Sequence, residues 1–133
     1  MLSLKWENGT VNNFWESDPE CSQYGTRFVV RHSLQTRALV SFPGSGNTWT
    51  RYLLEAATGV FTGSVYNDPG IIKAGHYGEA REYSDGSTIL QKTHRSLMMP
   101  KSKMFGGRGV LVIRNPYKAI ISFYNWARTH SQT

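Results

Sequence analysis

Hydrophobic and polar positions are unevenly organised along the chain. Up to residue 36 they follow no period, and Asn, Gly, Ser, Asp and Pro recur around isolated aromatics at Trp6, Phe14, Trp15 and Tyr24. Residues 1–36 therefore read as an irregular segment, a loop with at most a short helix or strand. From residue 38 the pattern sharpens. Ala38-Leu39-Val40-Ser41-Phe42 is a short apolar run stopped by Pro43 and Gly44, which predicts a buried strand. A turn-rich loop, Pro43-Gly44-Ser45-Gly46-Asn47-Thr48, follows. Trp49, Leu53 and Ala57 then recur every four residues with Leu54 alongside, predicting a helix over 48–57 that Gly59 ends.

Residues 60–87 are rich in Gly, Tyr, Asp and Ser and read mostly as loop, with a short helix around 78–83. A second strand is predicted over 88–92. The clearest strand, over 109–113, is entered from Gly106-Gly107. Asn115-Pro116 places proline at a first helical turn, and Ile120, Phe123, Tyr124 and Ala127 form one apolar stripe over 117–128. Strand–loop–helix units of this kind predict an α/β fold, a parallel sheet flanked by helices. Ligands of such sheets sit at the C-terminal ends of the strands.

A chain of 133 residues makes about one domain. With 39% hydrophobic and 18% charged residues, disorder is excluded. A single cysteine, Cys21, excludes an internal disulfide framework and a multi-cysteine metal site. No run approaches the ~20 apolar residues of a membrane span, and no secretory leader pattern opens the chain. Residues 1–66 carry five basic and five acidic side chains; residues 67–133 carry ten and four, the whole net charge of +6. The second half points to an anionic partner, or to a solvated basic face.

Three stretches can carry chemistry. In the loop at 43–48, glycines let backbone approach a ligand, successive N–H groups at a helix start cradle an anion, and Asn47 and Thr48 add side-chain donors. Its end, Gly46-Asn47-Thr48, lacks the lysine of an NTP-hydrolysing loop. In Lys92-Thr93-His94, a histidine suited to general-base work follows a lysine that can neutralise anionic charge. In Arg114-Asn115-Pro116, with Ser122 eight residues past Arg114, a cation at a strand end and a helical hydroxyl make a phosphate clamp.

Taken together, in this order and spacing, the three stretches resemble sulfotransferases that use 3′-phosphoadenosine 5′-phosphosulfate (PAPS). Within them, Ser41-Phe42-Pro43-Gly44-Ser45-Gly46-Asn47-Thr48-Trp49 and Arg114-Asn115-Pro116-Tyr117-Lys118 are most similar to the WSC-domain-containing sulfotransferases. The resemblance covers residues 38–128. It implies a P-loop-like sulfotransferase fold, with 37–133 as the N-terminal half of a domain truncated at its C-terminus. It also implies a sulfuryl donor, PAPS, held by Gly44, Ser45, Gly46, Asn47, Thr48, Trp49, Arg114 and Ser122, with no metal. His94 would be the base and Lys92 the helper cation. The acceptor would be a hydroxyl or amine, in a carbohydrate or glycoconjugate, and Tyr66, His76, Tyr77 and Tyr83 are candidates to line its cleft. Localisation by resemblance is the Golgi membrane or lumen, with any membrane contact through a segment absent from this chain.

One departure matters. Gly44 stands where most of the family has Lys or Arg, and Arg51, Lys92 or Arg95 are the substitutes within reach in sequence. Alternatives are an inactive remnant that still binds PAPS or its product, and a basic nucleic-acid-binding module, which is disfavoured. A nucleotide kinase would need the missing lysine and a carboxylate for Mg²⁺.

Overall fold

The structure, a computed structural model, describes residues 4–94 and 105–130. The N-terminal segment is more ordered than its pattern predicts. Strands β1 (Trp6–Asn12) and β2 (Thr26–Val29) form an antiparallel pair whose register shifts between Trp6 and Val11. Gly9, at φ 131°, sits inside that irregular stretch. β1 is mostly exposed, so it shows no alternation to read, whereas Phe28 and Val29 of β2 are buried.

The main sheet has four parallel strands. The third strand, β3 (Ala38–Ser41), is followed by helix α1 (Asn47–Thr58), strand β4 (Gly63–Ser64), helix α2 (Pro69–Lys73) and a 3₁₀ turn at Tyr77–Ala80. Strands β5 (Gln91–Thr93) and β6 (Gly109–Val112) and helix α3 (Pro116–His130) complete it. Spatial order is β4-β5-β3-β6. All four residues of β3 are buried, and Val40 pairs with Thr93 on one side and Leu111 on the other. This is the parallel α/β arrangement that the sequence predicts. The second strand begins later than predicted, at Gln91, because the amide of Ile89 donates to the Phe61 carbonyl and the carbonyl of Leu90 accepts from Gly63.

Helix α1 runs where the spacing puts it. Gly46 and Gly59 bound it in left-handed conformations, and the Gly59 amide donates to the Glu55 carbonyl at 2.9 Å. Its buried face is the reverse of the predicted one. Asn47, Arg51 and Glu55 are buried, while Trp49 and Leu53 are exposed. The reason is a network of paired charges. Arg51 donates to Glu79 Oε2 at 2.5 Å, to Thr62 Oγ1 at 2.7 Å and to the Thr62 carbonyl at 3.1 Å. Glu55 accepts from the Thr62 amide at 3.0 Å and from its hydroxyl, and its other oxygen meets His76 Nδ1 at 3.1 Å. Buried ions persist only when paired and hydrogen-bonded in this way.

The apolar stripe of α3 is also open. Ala119 is buried, but Ile120, Tyr124 and Trp126 are exposed, as are Val110, Leu111 and Ile113 of the adjoining strand edge, Ile113 at 82%. Among the described residues, no strand pairs with β6 on the side away from β3.

Candidate functional site

A cleft of about 380 Å³ lies beyond the C-terminal ends of β3, β5 and β6. Its lining includes Gly44, Gly46, Asn47, Thr48, Trp49, Lys92, His94, Arg114 and Ser122. Nine of the ten site residues predicted from the sequence thus share one cleft. Ser45 does not: it is buried and faces an apolar pocket of about 300 Å³ with Phe42, Leu111 and Ile120.

The loop works through backbone. The first helical bond of α1 runs from the Thr50 amide to the Gly46 carbonyl at 2.9 Å, and no side chain caps the helix. Amides at 47–49 therefore point out of the N-terminus, where the helix dipole adds positive potential. Two expected contributors are spent elsewhere. The Ser45 amide donates to the Phe42 carbonyl at 3.1 Å. The Asn47 side-chain amide donates to the Leu39 carbonyl and to Ser41 Oγ, each at 3.1 Å, so Asn47 braces β3 instead of offering its side chain to an anion.

Gly44 has a steric reason. At φ 78°, a Cβ on it would lie 2.5 Å from the Ala119 carbonyl oxygen and 2.9 Å from the Phe123 amide nitrogen. Both are backbone atoms of α3, so position 44 has no room for a side chain while α3 stays in place. The carbonyl of Gly44 accepts from Arg114 Nη1 at 2.7 Å, which holds an exposed guanidinium at the loop. Arg51, considered from sequence as a substitute cation, is fully buried against Glu79 and does not line the cleft. Arg95 lies outside the described residues.

His94 is fixed from two sides. Its Nδ1 lies 3.0 Å from the Ser41 carbonyl and 3.2 Å from Ser41 Oγ. The Tyr66 ring stacks on the imidazole at 5.7 Å between centroids, and the Tyr66 hydroxyl accepts from the His94 amide at 2.7 Å. Burial pushes the imidazole pKa below its ordinary value; the bond to the Ser41 backbone opposes this and the nearby Lys92 charge adds to it. Burial likewise lowers Lys92, with Glu79 opposing, Arg51 adding and Asp68 opposing. Lys92 makes no ion pair among the described residues, and its Nζ stands 5.9 Å from the Tyr66 ring centre.

Of the aromatic and histidine candidates at 60–87, only Tyr66 reaches this site. His76 pairs with Glu55, Tyr77 packs on Phe61 and Tyr83 packs on Phe105. Sequence reasoning missed Asp68, Ile71, Phe123 and Trp126 in the cleft wall. Trp126 had a signal: it stands four residues after Ser122 on one helix face.

The fold and cleft define an α/β protein with a glycine loop and a helix start at the C-terminal ends of its parallel strands. Comparison with known proteins gives relatives that carry one family name. The chain is 47% identical over 88 residues to a WSCD family member of Aedes aegypti, covering 66% of this chain and 26% of the relative. It is 41% identical over 126 residues to one of Drosophila pseudoobscura pseudoobscura, covering 92% of this chain and 38% of the relative. A Drosophila melanogaster member is 47% identical over 91 residues, 26% of its length. The chain thus spans between a quarter and two-fifths of the relatives it matches. Their names state a family and no reaction. No protein-family profile matches the chain. No solved structure matches it either.

Proposed function

We propose that this chain forms the donor side of a PAPS-dependent sulfotransferase site. The carrying observation is the convergence of α1 N-terminal amides, Lys92, His94, Arg114 and Ser122 on one cleft. The residues fit such a donor. Amides at 47–49 and the Thr48 hydroxyl suit the 5′-phosphosulfate, and Arg114 with Ser122 suits the 3′-phosphate. Trp49 is 63% exposed, and one ring face stacks on Tyr52 at 5.3 Å, leaving the other for an adenine.

The donor supplies a sulfuryl group whose S–O bond to phosphate breaks as one to the acceptor oxygen forms. His94, neutral at physiological pH, takes the acceptor proton. Lys92 and the helix N-terminus face the negative charge that develops on the departing side. Asp68 is the acidic residue among those lining the cleft, and it suits an acceptor hydroxyl or amine, in keeping with a carbohydrate or glycoconjugate. Among the described residues no helix is long and apolar enough to cross a membrane. Residence in the Golgi belongs to the same proposal.

Titration with 3′,5′-adenosine bisphosphate tests it. Micromolar binding that quenches Trp49 and falls at least tenfold for 5′-AMP is the expected result, with Trp49→Phe and Trp126→Phe assigning the signal. Equal affinity for both nucleotides removes Arg114 and Ser122 from 3′-phosphate recognition.

The blocked position 44 favours one second reading, a chain that binds the nucleotide without transfer. Gly44→Lys separates the two ideas of this loop. It is expected to weaken nucleotide binding by tenfold or more and to destabilise by about 1–3 kcal/mol, through left-handed strain and displacement of α3. Calorimetric titration and a thermal melt measure both. Tighter binding with unchanged stability would show that the loop does accept a cation there.

A further inference from the structure

The contacts of His94 select one of its two neutral forms. A backbone carbonyl can only accept, so the 3.0 Å contact between Nδ1 and the Ser41 carbonyl favours the form with the proton on Nδ1. Ser41 Oγ offers a second acceptor to the same N–H at 3.2 Å. That hydroxyl is itself held, because Asn47 Nδ2 donates to it at 3.1 Å. The Asn47 amide is oriented by its other donor bond, to the Leu39 carbonyl, which no amide oxygen could replace. Ser41 and Asn47 are both buried, at 2% and 4% exposure, so water does not compete for these bonds. The remaining ring nitrogen, Nε2, then carries a lone pair.

We infer that Ser41, braced by Asn47, is a positioning residue that fixes His94 as the Nδ1–H tautomer, so that Nε2 is the nitrogen that accepts a proton. The inference deepens the proposed reaction and rests on it for its kinetic consequence only; the tautomer itself needs no reaction. Tautomer choice carries large effects where a histidine is a base, because the wrong form presents a hydrogen in place of a lone pair. Histidine outside a protein prefers the opposite, Nε2–H form, so the site must hold the Nδ1–H form against that preference. Two acceptors at Nδ1 do this better than one. The carbonyl persists in any variant at position 41, and the hydroxyl is the part a substitution can remove.

The test is a long-range proton–nitrogen correlation spectrum of the imidazoles in the whole chain at neutral pH, with His94→Gln assigning the signal among four histidines. Wild type is expected to show His94 as Nδ1–H with an unprotonated Nε2. Ser41→Ala is expected to mix the two forms, and Ser41→Thr, which keeps the hydroxyl, to recover most of the Nδ1–H population. Turnover should fall roughly tenfold in Ser41→Ala with donor KM little changed, since geometry and not binding is lost. A wild-type spectrum showing Nε2–H overturns the inference whether or not any variant folds. So does a folded Ser41→Ala with wild-type tautomer populations. A tautomer shift without a change in turnover would instead remove His94 as the base, leaving the positioning by Ser41 intact.

Discussion

Replacing Glu79 by alanine will lower the stability of this protein by about 3–5 kcal/mol, enough to unfold a large fraction of a domain whose total is about 5–15 kcal/mol. The loss comes from what stays behind. Arg51 is 0% exposed, and its Nη1 lies 2.5 Å from Glu79 Oε2. Without Glu79 that guanidinium is a buried, uncompensated charge. The other carboxylate oxygen of Glu79 accepts from the Asp68 amide at 3.2 Å, so the approach to α2 loosens as well. Urea unfolding of the single variants and of Arg51→Met/Glu79→Leu separates pairing from burial. The double variant, which removes both charges, is expected to recover much of the stability. A double variant as unstable as Glu79→Ala would mean that the neighbouring bonds to Thr62, not the ion pair, hold α1 in place. Any folded fraction of the single variant carries a second effect. Glu79 opposes the fall in Lys92 pKa, so its removal drives Lys92 further below the ordinary lysine value.

That network also marks where the sequence could be read and where it could not. The strand–loop–helix at 38–58 was legible because its boundaries are local. An apolar run meets Pro43 and Gly44, and Gly46 and Gly59 take left-handed conformations that few other residues tolerate. The buried face of α1 was not legible. Periodicity ranks side chains by polarity and puts Trp49 and Leu53 inward, whereas the partner that lets Arg51 be buried stands 28 residues on. The hairpin of β1 and β2 was hidden for another reason: an exposed strand with a register shift leaves no period-2 pattern. In the site, the order of three motifs foretold which residues would meet, because strands β3, β5 and β6 are adjacent and end at one level. It could not tell that Asn47 turns inward, that Tyr66 covers His94, or that α3 backbone fills the space beside Gly44. Those are facts of packing between elements distant in sequence.

His94→Ala is expected to lower turnover on the order of 10²–10⁴-fold while leaving affinity for the nucleotide within about threefold. The division follows from position. In the proposed site the anion contacts come from the α1 amides, Thr48, Arg114 and Ser122, and His94 stands on a different strand end, against Ser41 and Tyr66. The pH profile of the wild type gives an independent check. A base must be unprotonated, so activity rises with pH through the His94 pKa. Burial lowers that pKa, so the rise is complete at a pH below that needed by an ordinary imidazole. Lys92 must be protonated to face negative charge, so activity falls as pH climbs through its pKa, which burial also lowers. The two limbs make a bell displaced to the acid side of one built from ordinary His and Lys values. In His94→Ala the acid limb should vanish and the alkaline limb persist; in Lys92→Met the reverse should hold. An acid limb that survives in His94→Ala would assign it to another group. Asp68, the carboxylate in the cleft wall, would then be the base to test.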